Sequence, residues 1–114
     1  MAIRKIDRGE WRGFCIRASR LLIGKQVEIE IVSLQIGAQL EARGLPFLGI
    51  TFDPATDILE LLVGELDHLI QEPRELYVDE QPIGIVSFQI VDSSGFRQIV
   101  TLRDPLLLPS PARD

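Results

Sequence analysis

Histidine, cysteine, tyrosine and tryptophan occur once each in this 114-residue chain, as His68, Cys15, Tyr77 and Trp11. One thiol makes no intrachain disulfide, and one imidazole supplies neither a His-rich metal set nor a pair of catalytic histidines. No serine sits in a Gly-x-Ser-x-Gly turn, and Gly24 and Gly37 stand alone as turn residues instead of grouping into a phosphate-binding loop. No run approaches the roughly 18–20 consecutive apolar residues of a membrane-spanning helix, so membrane insertion is not expected. Met1 leads into polar Arg4 and Lys5, not into the apolar stretch of a secretory leader, and with the lone cysteine this predicts a cytoplasmic protein. These absences leave few routes to catalysis, and no cofactor or metal is expected.

What is present is aliphatic and unevenly charged. Leu, Ile and Val make up about a third of the chain, and 25% of residues are charged, the composition of a folded domain. The net charge of -5 divides sharply. Residues 1–25 carry Arg4, Lys5, Arg8, Arg12, Arg17, Arg20 and Lys25 against Asp7 and Glu10, a balance of +5, so the remainder stands at -10. Two opposite segments in one chain are expected to face each other within the fold or across a homodimer. An acidic body also disfavours nucleic-acid binding, which needs concentrated positive potential.

Asp7 followed by Glu10 reads as a capping box opening a helix that runs to about Ile23, with Gly24 ending it. At 100° per residue Trp11, Phe14, Cys15, Ala18, Leu21 and Leu22 gather on one face, leaving an arginine surface with Ile16 in its middle. From Gln26 the period changes to two, and short strands follow: Val27 to Ile31, Ala38 to Ala42, Leu48 to Phe52, Ile58 to Val63, Leu76 to Asp79, Gly84 to Val91 and Phe96 to Arg103, with His68 to Gln71 a short extended piece between them. Gly44 with Pro46, the Asp53–Asp57 turn, Pro73 and the Asp92–Gly95 loop punctuate them. The prediction is an α+β domain over residues 1–104, its N-terminal amphipathic helix packed on a twisted antiparallel meander of about six or seven strands, with a partly closed barrel as the alternative. Residues 105–114 form a Pro-rich tail whose Leu106, Leu107 and Leu108 are expected to lie against the domain or a partner.

Trp11 and Phe14 on the leading helix, Leu45-Pro46-Phe47-Leu48-Gly49-Ile50 before a strand ending at Asp53, His68-Leu69-Ile70-Gln71-Glu72-Pro73, and a closing hairpin occur in that order. This ordering resembles a family of small uncharacterised bacterial proteins defined only as a domain of unknown function, over roughly residues 10–103. Such proteins tend to have Asp-Gly in the last hairpin where this chain has Ser94-Gly95, and the Pro-rich tail reads as particular to this chain. The resemblance implies a domain boundary and a bacterial, cytoplasmic setting, and it implies no mechanism.

Two surfaces are candidates for function. The first is the arginine face around Arg12, Ile16 and Arg20, suited to a protein partner or to self-association in a non-catalytic binding or assembly module. The second centres on His68, the one side chain that titrates near neutrality without perturbation, with Glu72 on the same side of an extended segment and Tyr77 in support, as a small enzyme or a ligand- or metal-binding protein would need. Asp53, Asp57 and Glu60 gather near one turn but lack the spacing of a calcium loop. Cys15, at the edge of the apolar helix face, reads as an inert filler.

Overall fold

The computed structural model describes residues 3–104, so the expectations for Leu106, Leu107 and Leu108 lie outside the described residues. Along the chain come β1 (Ile3–Lys5), a 3-10 turn (Arg8–Glu10), α1 (Trp11–Leu21), β2 (Gln26–Ser33), β3 (Gly37–Asp53), β4 (Ile58–Val63), β5 (Leu66–Gln71), β6 (Pro73–Gln81), β7 (Gly84–Asp92) and β8 (Arg97–Arg103). The eight strands pair only antiparallel, in the order β1-β6-β7-β8-β2-β3-β4-β5. Two meanders, β2 to β5 and β6 to β8, are thus joined where β8 lies beside β2. The α+β architecture is as expected, while the barrel alternative is not: β1 and β5 remain the two ends of an open sheet.

The extra strand is β1, too short to show a period. It pairs with Tyr77 to Asp79 of β6, so the chain's start is tied to its middle. Gly44 and Pro46, expected to break a strand, instead mark where one 17-residue strand changes partner. Up to Pro46, β3 pairs with β2, and from Phe47 it pairs with β4. Proline is tolerated because the ladder changes sides there: Pro46 offers only its carbonyl, which accepts from the Gly64 N–H at 2.8 Å.

The sheet folds back on itself through β3. In a flat sheet β5 and β8, four strands apart, would be about 19 Å from each other, yet His68 of β5 touches Gln98 of β8 at 2.8 Å. The inward residues of β4, namely Leu59, Leu61 and Val63, are fully buried in one continuous core that also holds Phe88 and Ile90 of β7 and Val100 of β8.

The helix extends the smaller layer beyond β3. Trp11 and Phe14 are buried, stacking edge-on against Phe52 of β3 and Phe88 of β7 with ring centroids 5.0 and 5.7 Å apart. The Ser19 hydroxyl donates to the Ile50 carbonyl and accepts from the Ile50 N–H, both at 2.9 Å, so α1 closes the edge of β3 that β4 leaves open. No capping bond comes from the Asp7 side chain. The helix is started instead by tertiary contacts: Trp11 Nε1 donates to the Ile6 carbonyl at 2.9 Å, and Arg8 reaches the Pro73 carbonyl at 3.1 Å and Asp57 at 2.6 Å. Leu21, expected on the buried face, is exposed because it lies at that face's margin in the last helical turn.

Candidate functional site

The charge division resolves largely inside the molecule. Arg4 and Arg17 pair with Glu80, Lys5 with Glu75, Arg8 with Asp57 and Lys25 with Asp104, at 2.6–3.9 Å. Arg12 and Arg20 are the two basic groups of the leading segment without an ion-pair partner among the described residues. Both are exposed, and Ile16 between them is 59% exposed. Spacing of four residues per step sets all three along one row of α1, pointing away from the core.

That row continues onto the sheet. Arg12 and Ile16 border a shallow depression of about 130 Å³ whose other wall is β3 at Ile50, Thr51 and Phe52. Thr51 stands beside Glu60 of β4, which stands beside Leu69 of β5; one step along, Gly49, Leu62 and Asp67 form the next cross-strand row. Because β4 buries Leu59, Leu61 and Val63, its alternate residues Glu60 and Leu62 must face outward. The outer face of this layer therefore runs from cationic at α1 to anionic at Glu60 and Asp67. A hydrogen bond with the Asp67 side chain, with some desolvation and the charge of Asp67, raises the Glu60 carboxyl above its ordinary value.

On the opposite side of β5, His68 lines a polar cleft of about 420 Å³ with Glu72, Asp92, Ser93 and Gln98 among its walls. Gln98 is only 3% exposed, on the inward side of β8 between apolar neighbours. Its Nε2 donates to Asp92 Oδ2 at 3.4 Å, which turns Oε1 toward His68. An amide oxygen only accepts, so His68 donates to it through a protonated Nε2. Asp92 Oδ1 in turn accepts from the Ser94 and Phe96 N–H groups at 3.0 Å, fixing the chain at its far end. Glu72 borders the same cleft, held by the Ser93 hydroxyl at 2.7 Å and by a left-handed backbone with φ of 53°.

His68 and Glu72 are thus brought together, whereas Tyr77 is not with them. It faces outward from β6, where its hydroxyl donates to Glu75 at 2.8 Å, a bond that raises the phenol above its ordinary value. Gln98 and Asp92 were missed by sequence reasoning, although a glutamine at an inward position of Gln98-Ile99-Val100-Thr101-Leu102 was the available signal. Asp53, Asp57 and Glu60 have separate partners: Asp53 caps the Ala55 N–H, Asp57 holds Arg8, and Glu60 meets Asp67. No group of three or more His, Cys, Asp or Glu side chains converges for a metal among the described residues. No helix of the described residues is long and apolar enough to cross a membrane.

The pattern of a family described as "Family of unknown function (DUF5335)" matches residues 2–111. The chain belongs to this family. An uncharacterised protein of the bacterium Aquifex aeolicus (strain VF5) is 34% identical over 110 residues, covering 96% of this chain and 99% of the relative. The DUF5335 match extends to residue 111, into the Pro-rich segment. No solved structure matches the chain.

Proposed function

We propose that this DUF5335 protein is a non-catalytic binding or assembly module that docks an acidic protein surface through the outer row of α1. The observation that carries this reading is the pairing pattern: of the seven basic groups in residues 1–25, five form ion pairs, and the other two, Arg12 and Arg20, which have no ion-pair partner among the described residues, flank exposed Ile16. An apolar side chain between two guanidinium groups unpaired among the described residues suits a carboxylate-bearing partner, since arginine gives directional paired bonds and the isoleucine contributes area. Two arginines beside an acidic body favour a protein partner over a nucleic acid. A cytoplasmic setting accords with the buried, unpaired Cys15.

The test is an NMR titration with a synthetic helical peptide carrying two glutamates around a leucine at the spacing of Arg12, Ile16 and Arg20. Amide shifts confined to α1 and its β3 border, abolished in Arg12→Glu/Arg20→Glu, are expected. Shifts elsewhere, or shifts that survive the reversal, overturn the surface.

The cleft supports a second reading, a small-ligand site, because the Asp92–Gln98–His68 chain presents an imidazole anchored through Nε2 beside Glu72. Small polar ligands that donate hydrogen bonds, amines above all, suit a cleft lined by the Glu72 carboxylate and the imidazole ring. A His68 titration curve unmoved by a panel of such amines would remove this reading.

A further inference from the structure

The docking face has two electrically opposite halves, and we propose that each half takes the other on a second copy of this chain. The Arg12–Ile16–Arg20 row of one protomer seats on Glu60, Leu62, Asp67 and Leu69 of its partner, and the same contact repeats about a two-fold axis. This rests on reading α1 as a docking surface and names its occupant.

Both halves lie on one side of the molecule. Ser19 fastens α1 to the β3 edge, the Arg12–Ile16 depression opens onto Thr51, and Thr51, Glu60 and Leu69 are successive neighbours across three strands. Within one molecule β3 separates the arginines from the carboxylates, and no ion pair joins the two sets. Turning a second copy face to face by 180° exchanges the halves, so every arginine meets the carboxylate side. A closed two-fold contact needs such a self-complementary surface.

The apolar content is complementary as well. Ile16 is 59% exposed on the cationic half, and Leu69 and Leu62 are 51% and 37% exposed on the anionic half. Glu60 and Asp67 occupy diagonal positions on adjacent strands, as Leu62 and Leu69 do, so carboxylates and leucines alternate across the patch. The raised Glu60 carboxyl marks two acids crowded together with no cation beside them.

Size sets the strength. The 11 residues of α1 span about 16 Å, and a helix beside three strands is roughly 25 Å wide, a face of about 400 Å². That is about half of what each partner buries in a standard interface, so the dimer is weak, salt-sensitive and populated from micromolar concentrations upward.

Sedimentation equilibrium at low salt, from about 1 μM to about 1 mM chain, tests this. The wild type is expected to reach a mass of two chains and go no further. Arg12→Glu/Arg20→Glu and Glu60→Arg/Asp67→Arg should each weaken self-association at least about tenfold, and an equimolar mixture of the two should restore the dimer, because both contacts then regain opposite charges. If either reversal unfolds the chain, the milder Arg12→Gln/Arg20→Gln and Glu60→Gln/Asp67→Asn should give the same ordering. A wild type that stays monomeric throughout, a dimer indifferent to both reversals, or a mixture that stays monomeric overturns the inference. A monomeric wild type whose α1 still answers the acidic peptide would leave the docking surface standing and assign it to a different protein.

Discussion

Cys15 is buried against Phe52 and Ile50, and desolvation pushes its thiol up to about 12. The folded state therefore keeps its proton where the unfolded chain loses it. Stability from this group is fully present below the ordinary thiol value and is lost as pH rises toward 12, by an amount on the order of a few kcal/mol. Denaturant melts of Cys15→Ala and the wild type should consequently converge with rising alkaline pH, and a thiol reagent at pH 8 should label the native protein no faster than it unfolds. At the cleft, Gln98→Leu should destabilise by about 1–2 kcal/mol by stripping His68 and Asp92 of their shared partner. Nitrogen-15 spectra should show the His68 ring as Nε2-protonated in the wild type and as a tautomer mixture in the variant. His68 and Glu72 were legible as neighbours because an extended segment places alternate residues together. The partner of His68, Gln98, 30 residues on, was not, because the pairing depends on a fold in the sheet that no local period encodes.

Among the elements, α1 depends more on its neighbours than on its own sequence. Ser19→Ala would leave the Ile50 N–H and carbonyl without their bonds at a covered strand edge and should cost about 1–3 kcal/mol in a chemical melt. Arg8 joins the entry turn to β6 and the β3–β4 turn and lies over the Trp11 and Phe52 rings at 4.8 and 5.1 Å. Arg8→Ala should cost about 2 kcal/mol, with the largest amide shifts at Trp11 and Asp57. Helix and strand positions were largely readable because Gly24, the Asp53–Asp57 turn, Pro73 and Gly95 act locally on backbone angles. The unity of β3 was not: Gly44 and Pro46 look like breakers, and the strand survives them only because β2 and β4 take it up on opposite sides. The capping box at Asp7 failed for a related reason, since the Arg8 and Trp11 contacts override a local preference worth only about 1 kcal/mol.

For the whole molecule, charge is an internal fastener before it is an advertisement. Glu80 accepts two hydrogen bonds from Arg17, at 2.9 and 3.3 Å, and lies 3.9 Å from Arg4. The Arg17 bond, and the charges of Arg17 and Arg4, hold its carboxyl below the ordinary value despite some desolvation. A depressed carboxyl contributes stability that is present above the unfolded value and is lost as pH falls through the folded one. Arg17→Gln should lower stability modestly at neutral pH, where the pair is fully charged, and the two stability profiles should converge as pH falls below about 4.5. The division of charge along the chain was visible in composition alone. Which arginines remain free was not, since that depends on how helix, turn and strands come together.

Because a single backbone run serves as a rung of both layers, neither layer has a complete ladder once that run is cut. A proteolytic nick beside Gly44 should therefore not release two stable halves; both pieces should lose amide protection together, and mixing them should recover the native spectrum only as a stoichiometric pair.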